Sequence, residues 1–110
     1  ACKRAGAANI TCVIPYYGYA RQERKNKNRA NPISSSDVAQ ILEFMGTNKI
    51  ITLDVHAPAV TGSVTAKTCF EDYEAGFTAI DYFLKEIPGD KSDVCIVSPD
   101  AGAVKRATSF

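Results

Sequence analysis

Apolar segments of two kinds alternate along this chain, and that alternation constrains its fold more than any other feature. Short runs rich in β-branched residues are typical of strands, and they occupy residues 9–14, 49–55 and 93–98. Segments with apolar residues spaced three and four apart are typical of amphipathic helices, and they occupy residues 34–46 and 75–87. A further helix begins near residue 101. Alternating strands and helices predict an α/β fold, a parallel sheet with flanking helices.

The ends of these segments carry their own signals. Ser34 to Ser36 predict a serine N-cap for the first helix, and Gly46 predicts its end. The second helix is expected to end before Pro88 and Gly89. The first run is nearly continuous in apolar residues, which predicts a strand that is buried on both faces.

Composition excludes several classes of protein. The 110 residues allow one small domain, and a net charge of +1 argues against a general polyanion binder. No apolar run approaches the roughly 18 residues that span a bilayer, so a soluble protein without a membrane partner is expected. Four widely spaced cysteines suggest buried free thiols in a reducing cytoplasm, rather than a zinc site. The chain lacks an initiator Met and stops inside a beginning helix, so we expect an internal fragment.

In parallel sheets, ligands gather at the carboxyl ends of the strands. The first strand is followed by a long loop with three tyrosines at 16, 17 and 19 and with five cations: Arg21, Arg24, Lys25, Lys27 and Arg29. Arginine offers a planar fork to phosphate, and Gln22 can bond a base or ribose without adding charge. A phosphate-rich small ligand therefore fits better than a solvated basic loop or a nucleic acid stacked on the tyrosines.

The other two strand ends carry acids and the single histidine. Asp54 and His56 follow the second run, and Asp100 follows the third. These side chains could share a divalent cation, because Mg²⁺ needs few protein ligands beside water and phosphate. Asp100 could instead, or in addition, be a helix N-cap. No Walker A, G-x-G-x-x-G or G-x-S-x-G motif is present, so the residues alone indicate a phosphate- or nucleotide-binding α/β domain.

Four blocks of the sequence together resemble one known family, the ribose-phosphate diphosphokinases or phosphoribosyl pyrophosphate synthetases. The blocks are residues 13–25 (VIPYYGYARQERK), 29–34 (RANPIS), 50–57 (IITLDVHA) and 97–102 (VSPDAG). The resemblance implies a transferase that moves the diphosphoryl group of ATP to ribose 5-phosphate, giving phosphoribosyl pyrophosphate and AMP. It also implies a type I phosphoribosyltransferase-like fold in two tandem domains, of which this chain carries part.

The resemblance assigns roles to particular residues. It places Arg21 and Gln22 at ATP, and Lys25 and Asn26 of the same loop are expected to bind ATP as well. It places three residues at Mg²⁺, the only implied cofactor: His56, Asp54 and Asp100. No catalytic residue is assigned, because the family's Lys-x-Arg loop and its ribose-phosphate loop lie outside this chain. We therefore expect the parent protein to be the enzyme and the 110 residues alone to be inactive.

The resemblance also sets the expected domains and partners. Residues 1–89 would form the last part of the first domain, and residues 90–110 would begin the second. Residues 58–64 depart from the family's pattern, of which this chain keeps only Gly62. A cytoplasmic homo-oligomer is implied, with dimers assembled into hexamers and with no nucleic-acid partner. Two alternatives remain: a non-catalytic regulatory subunit of the same family, and a nucleic-acid-binding module.

Overall fold

The computed structural model describes residues 1–27 and 30–110, which form two compact units, Ala1–Tyr73 and Glu74–Phe110. The first unit contains three strands, one α-helix and one 3₁₀ helix. In chain order they are β1 (Thr11–Ile14), α1 (Ser34–Phe44), β2 (Lys49–Leu53), the 3₁₀ helix (Pro58–Ser63) and β3 (Cys69–Tyr73). The predicted α/β class with a parallel sheet is confirmed. The expected domain boundary after residue 89 is a separate matter and stays a prediction.

The sheet has the order β1-β2-β3, and both pairings are parallel. Ile14 lies opposite Thr52, and Thr52 lies opposite Asp72, so the three carboxyl ends meet at one edge. The third strand is the segment 69–73 and not the predicted segment 93–98. Glu71 and Asp72 hid β3 from the apolar pattern. Both acids find partners on β2, Lys49 for Glu71 and Thr52 for Asp72, and these pairs let an acidic segment join the sheet.

One face of the sheet is covered by α1 and by the 3₁₀ helix. Tyr17, Ala39 and Val60 form the buried cluster of this unit, and Phe70 packs against it. Ile50 on β2 is fully buried as well. On the opposite face Val13 is 66% exposed. The prediction that the first strand is buried on both faces is therefore wrong. Among the described residues of the first unit, the helices cover one face of the sheet only.

The helix α1 ends as predicted and begins differently. Gly46 has a φ of +93°, and its N–H donates to the Glu43 carbonyl at 2.9 Å while the next N–H, of Thr47, reaches back to Leu42 at 3.2 Å. This is a Schellman motif, in which glycine relieves the left-handed strain. At the other end, the N-cap residue is Ile33, without a side-chain cap, so the predicted serine N-cap is wrong.

The second unit is helical. It contains α2 (Gly76–Glu86), two 3₁₀ helices (Lys91–Asp93 and Ala101–Ala103) and α3 (Val104–Ser109). The helix predicted over 75–87 is confirmed. Residues 94–98 form no strand, because a strand needs a hydrogen-bonded neighbour and no described segment pairs with them.

Two further expectations can be compared with the structure. All four cysteines are free, as predicted, but Cys2, Cys69 and Cys95 are exposed and Cys12 is only half-buried, so the expectation of buried thiols is wrong. Among the described residues, no helix combines the length and apolar character needed to cross a membrane.

Candidate nucleotide and metal site at the carboxyl ends of β1 and β2

The loop after β1 is anchored by a buried tyrosine. Tyr17 is 3% exposed, its ring meets Phe70 edge-to-face with centroids 5.4 Å apart, and its hydroxyl donates to the Ser35 carbonyl at 2.8 Å. Burial raises the pKa of Tyr17 to about 12, so the hydroxyl stays a donor at neutral pH. Tyr17 is therefore part of the core. Of the three tyrosines proposed as stacking groups, only Tyr16 and Tyr19 are exposed.

A second anchor fixes the loop at Gln22. The Gln22 carbonyl accepts the Ser35 hydroxyl at 3.1 Å and the Ser35 N–H at 3.4 Å. One step earlier, the Gln22 N–H donates to the Tyr19 carbonyl at 2.8 Å, and Tyr19 adopts a left-handed φ of +63°. Ser35 is 1% exposed, so its hydroxyl holds the loop rather than the helix end. These bonds determine where the loop backbone turns outward.

Beyond the anchors, the loop side chains face solvent. Four of the predicted ligand-binding side chains are exposed: Arg21, Gln22, Lys25 and Asn26. Arg24 is 84% exposed, and its Nε lies 3.4 Å from Glu23 Oε1. Glu23 Oε2 is buried without a hydrogen-bond partner among the described residues. The predicted cation Arg29 lies outside the described residues.

The turn after β2 presents the acid and the histidine. Asp54 takes a left-handed φ of +47°, a conformation that aspartate tolerates better than most residues, and its N–H donates to the Tyr73 carbonyl at 2.9 Å. Asp54 and His56 are both exposed. The half-buried Val55 between them packs against the cluster of Tyr17, Ala39 and Val60. The kink at Asp54 thus ends β2 and leaves two potential ligands at the edge where β1 also ends.

Asp72 at the end of β3 is a site residue that the sequence reasoning missed. Its Oδ1 accepts the Thr52 hydroxyl at 2.6 Å and the Val55 N–H at 3.1 Å, while Oδ2 lies 3.2 Å from the same N–H. Thr52 is fully buried. The sequence did contain a signal for this residue. In a strand over residues 69–73, Asp72 lies on the same face as the apolar Phe70, so one acid faces inward.

Asp100 belongs to the second unit. Its Oδ1 accepts the Ala103 N–H at 2.9 Å, and this cap starts the 3₁₀ helix Ala101–Ala103 that leads into α3. The N-cap reading of Asp100 is confirmed. Its predicted role at a metal stays a prediction.

The donor set suits a magnesium ion that water and phosphate oxygens help to hold. Within the described ranges, no three His, Cys, Asp or Glu side chains are grouped closely enough to hold a metal by themselves. Mg²⁺ is commonly bound through one or two carboxylates, with water and phosphate oxygens completing the octahedron. Asp54 offers one exposed carboxylate of this kind, and His56 adds an exposed imidazole, both beside a cationic loop. These residues therefore fit Mg²⁺ whose other ligands are water and phosphate oxygens.

Known proteins resemble this chain over nearly its whole length. The family model described as the N-terminal domain of ribose phosphate pyrophosphokinase matches residues 1–46. A ribose-phosphate pyrophosphokinase of Staphylococcus haemolyticus is 44% identical over 108 residues, which is 97% of this chain and 32% of that protein. Ribose-phosphate pyrophosphokinase A of Dictyostelium discoideum is 46% identical over 110 residues, which is all of this chain and 33% of that protein.

A solved structure gives the same relationship in three dimensions. The crystal structure of phosphoribosylpyrophosphate synthetase from Mycobacterium smegmatis superimposes with a TM-score of 0.79 at 31% identity, over 97% of this chain and 34% of that chain. The chain therefore has a parallel α/β fold that this synthetase shares. The chain is thus similar over nearly all of its length to ribose-phosphate pyrophosphokinases, and it spans about a third of the length of the curated relatives it matches.

Proposed function

We propose that the protein containing this chain transfers the β,γ-diphosphoryl group of ATP to the anomeric hydroxyl of ribose 5-phosphate, and that this chain supplies part of the ATP and Mg²⁺ site. The hydroxyl oxygen attacks the β-phosphorus and loses its proton. The bond from that phosphorus to the oxygen bridging to the α-phosphorus breaks, and this oxygen leaves with AMP. The products are phosphoribosyl pyrophosphate and AMP. The proposal includes a homo-oligomer that acts in the cytoplasm.

The observation that carries the proposal is the pairing of two features at neighbouring strand ends. The loop after β1 holds exposed Arg21 and Gln22 on a backbone fixed by Ser35, and the turn after β2 exposes Asp54 and His56. Cations beside a polyphosphate stabilise the charge that develops as the diphosphoryl group moves. Mg²⁺ held with the help of Asp54 and His56 would supply further positive charge.

His56→Ala in the full-length protein tests the metal role. We expect the Mg²⁺ concentration for half-maximal AMP formation to rise at least about tenfold. Loss of a residue that only orients a metal ligand already weakens metal binding by roughly that factor. Tyr17→Phe is the comparison variant, because Tyr17 is a core residue whose hydroxyl bonds to backbone. It should leave the Mg²⁺ dependence unchanged. Equal shifts for the two variants would exclude His56 from the metal site.

Arg21→Lys tests the ATP role. Lysine keeps the charge and loses the planar fork, and a charge-assisted hydrogen bond is worth about 1.5–3 kcal/mol, so the KM for ATP should rise about ten- to a hundredfold. Arg4→Lys makes the same change at an exposed arginine outside the loop and should have no effect. An unchanged KM for ATP in Arg21→Lys would remove Arg21 from the site.

A further inference from the structure

The strongest feature outside the predicted site residues is the clasp that Asp72 forms across the ends of β2 and β3. The clasp consists of the Asp72 carboxylate, the Thr52 hydroxyl and the Val55 N–H. Thr52 precedes the left-handed Asp54 by two residues and Val55 follows it directly. The Asp72 carboxylate therefore binds the Thr52 side chain before the kink at Asp54 and the Val55 backbone after it.

The hydrogen bonds of the clasp are partly shielded from water. The 2.6 Å bond from the Thr52 hydroxyl has the length expected of a hydroxyl donating to a carboxylate, which is a charge-assisted bond. The Val55 N–H points at both carboxylate oxygens, at 3.1 and 3.2 Å. Thr52 is fully buried and Asp72 is half-buried, so water competes poorly for these bonds. A further bond runs from the Asp54 N–H to the carbonyl of Tyr73, the residue after Asp72.

Asp54 and His56 are exposed, and Val55 is the one residue between them. The backbone N–H of Val55 donates to the Asp72 carboxylate, and this bond fixes the chain between the two exposed residues. Asp54 and His56 lie directly before and after Val55, so their position relative to each other depends on the backbone conformation at residue 55. We infer that Asp72 is a positioning residue that presents Asp54 and His56 together to a divalent cation. The inference rests on the proposed function, since it concerns the same Mg²⁺ site.

The test compares two carboxylates that accept hydrogen bonds from the same kinds of group, a threonine hydroxyl and a backbone N–H. Asp72→Ala removes a carboxylate that binds a threonine hydroxyl and a backbone N–H. Glu43→Ala does the same elsewhere, because Glu43 accepts the Thr65 hydroxyl at 2.7 Å and the Thr65 N–H at 3.2 Å. The readout is binding of Mn²⁺ alone to the full-length protein, followed through the electron paramagnetic resonance signal of free Mn²⁺. Thermal unfolding of each variant is measured in parallel.

We expect Asp72→Ala to weaken Mn²⁺ binding by about tenfold, the lower end of the effect of removing a partner that orients a metal ligand. Glu43→Ala should also lower the melting temperature, by less because its bonds are exposed, and should leave the Mn²⁺ dissociation constant unchanged. Asp72→Asn should stay within about twofold of the parent protein, because its remaining carbonyl oxygen can accept both bonds made by Oδ1.

Three results would overturn the inference. The first is unchanged Mn²⁺ binding in Asp72→Ala while His56→Ala loses it, which leaves the proposed metal site intact. The second is an equal loss in Asp72→Ala and Glu43→Ala, which reduces Asp72 to a general stabiliser. The third is unchanged binding in His56→Ala, which removes the metal site itself. If Asp72→Ala does not fold, Thr52→Val replaces it, because valine keeps the shape and removes the 2.6 Å bond; unchanged binding there also contradicts the inference.

Discussion

Tyr17 joins the loop that carries the proposed ATP ligands to the core, and its hydroxyl can be removed without changing the ring. In Tyr17→Phe the buried bond to the Ser35 carbonyl is lost while the contact with Phe70 remains. We expect the free energy of unfolding to fall by about 1 kcal/mol. Urea unfolding measures the change, with Tyr16→Phe as control because Tyr16 is 85% exposed. A loss of the same size in Tyr16→Phe would mean that the buried bond is not the cause.

Glu71 on β3 gives a prediction for acidic pH. Lys49 donates a hydrogen bond to the Glu71 carboxylate at 2.8 Å, and Tyr73 donates a second. These bonds, that from Lys49 most, lower the pKa of Glu71 from 4.5 to about 2. A carboxylate with a lowered pKa stabilises the fold above its unfolded pKa, and that contribution is lost as the pH falls toward the folded value. Solvent screens the pair, so the effect is modest.

Glu71→Gln removes this titration. Between pH 4.5 and about 2 the stability of the parent chain should fall more steeply than that of the variant, and urea unfolding at several pH values measures both slopes. Asp37→Asn, at an exposed acid of α1, is the control. Parallel curves for the parent and Glu71→Gln would show that the contact with Lys49 does not stabilise the folded state.

At the scale of the elements, the end of α1 depends on one glycine. A Cβ at residue 46 would lie 3.2 Å from Lys3 Cγ, and the φ of +93° disfavours any L side chain. We expect Gly46→Ala to cost about 1–2 kcal/mol, the usual penalty of a left-handed residue. Thermal or urea unfolding checks it. Gly76→Ala is the matched control, since a Cβ there meets nothing within 4 Å, and it should be neutral or slightly stabilising.

Periodicity identified the elements whose apolar residues face one core. It found β1, α1, β2 and α2, and the glycine signal located the end of α1. It missed β3, because two of the five residues of that strand are acids, which pair with Lys49 and Thr52. Whether an apolar run becomes a strand depends on a neighbour, which explains why residues 93–98 were assigned wrongly.

The same limit applies to the candidate site. The strand ends follow from the order of elements, so Asp54, His56 and the basic loop could be located from the sequence. The residues that hold them could not. Ser35 was expected to cap a helix and instead binds the Gln22 carbonyl, and Asp72 lies in a strand that the pattern did not reveal. A local pattern does not contain these partners, which are distant in sequence.

At the scale of the molecule, burial is concentrated in the first unit. All the buried apolar residues lie there: Tyr17, Ala39, Ile50 and Val60. The second unit, all of whose residues are described, has none, and on α2 Phe77 is 75% exposed. Because resistance to local opening follows buried apolar contact, the two units of this chain should differ in local stability.

Amide hydrogen exchange of the 110-residue chain measures that difference. The amides of β2, the central strand, should exchange slowest, and those of α2 should exchange at least about tenfold faster, since about 1.4 kcal/mol of opening free energy already gives that ratio. Rates are divided by those of unstructured peptides of the same sequence, which removes the effect of side-chain chemistry. Equal protection of β2 and α2 would contradict the prediction, because it would show that the chain opens as one cooperative unit despite its uneven burial.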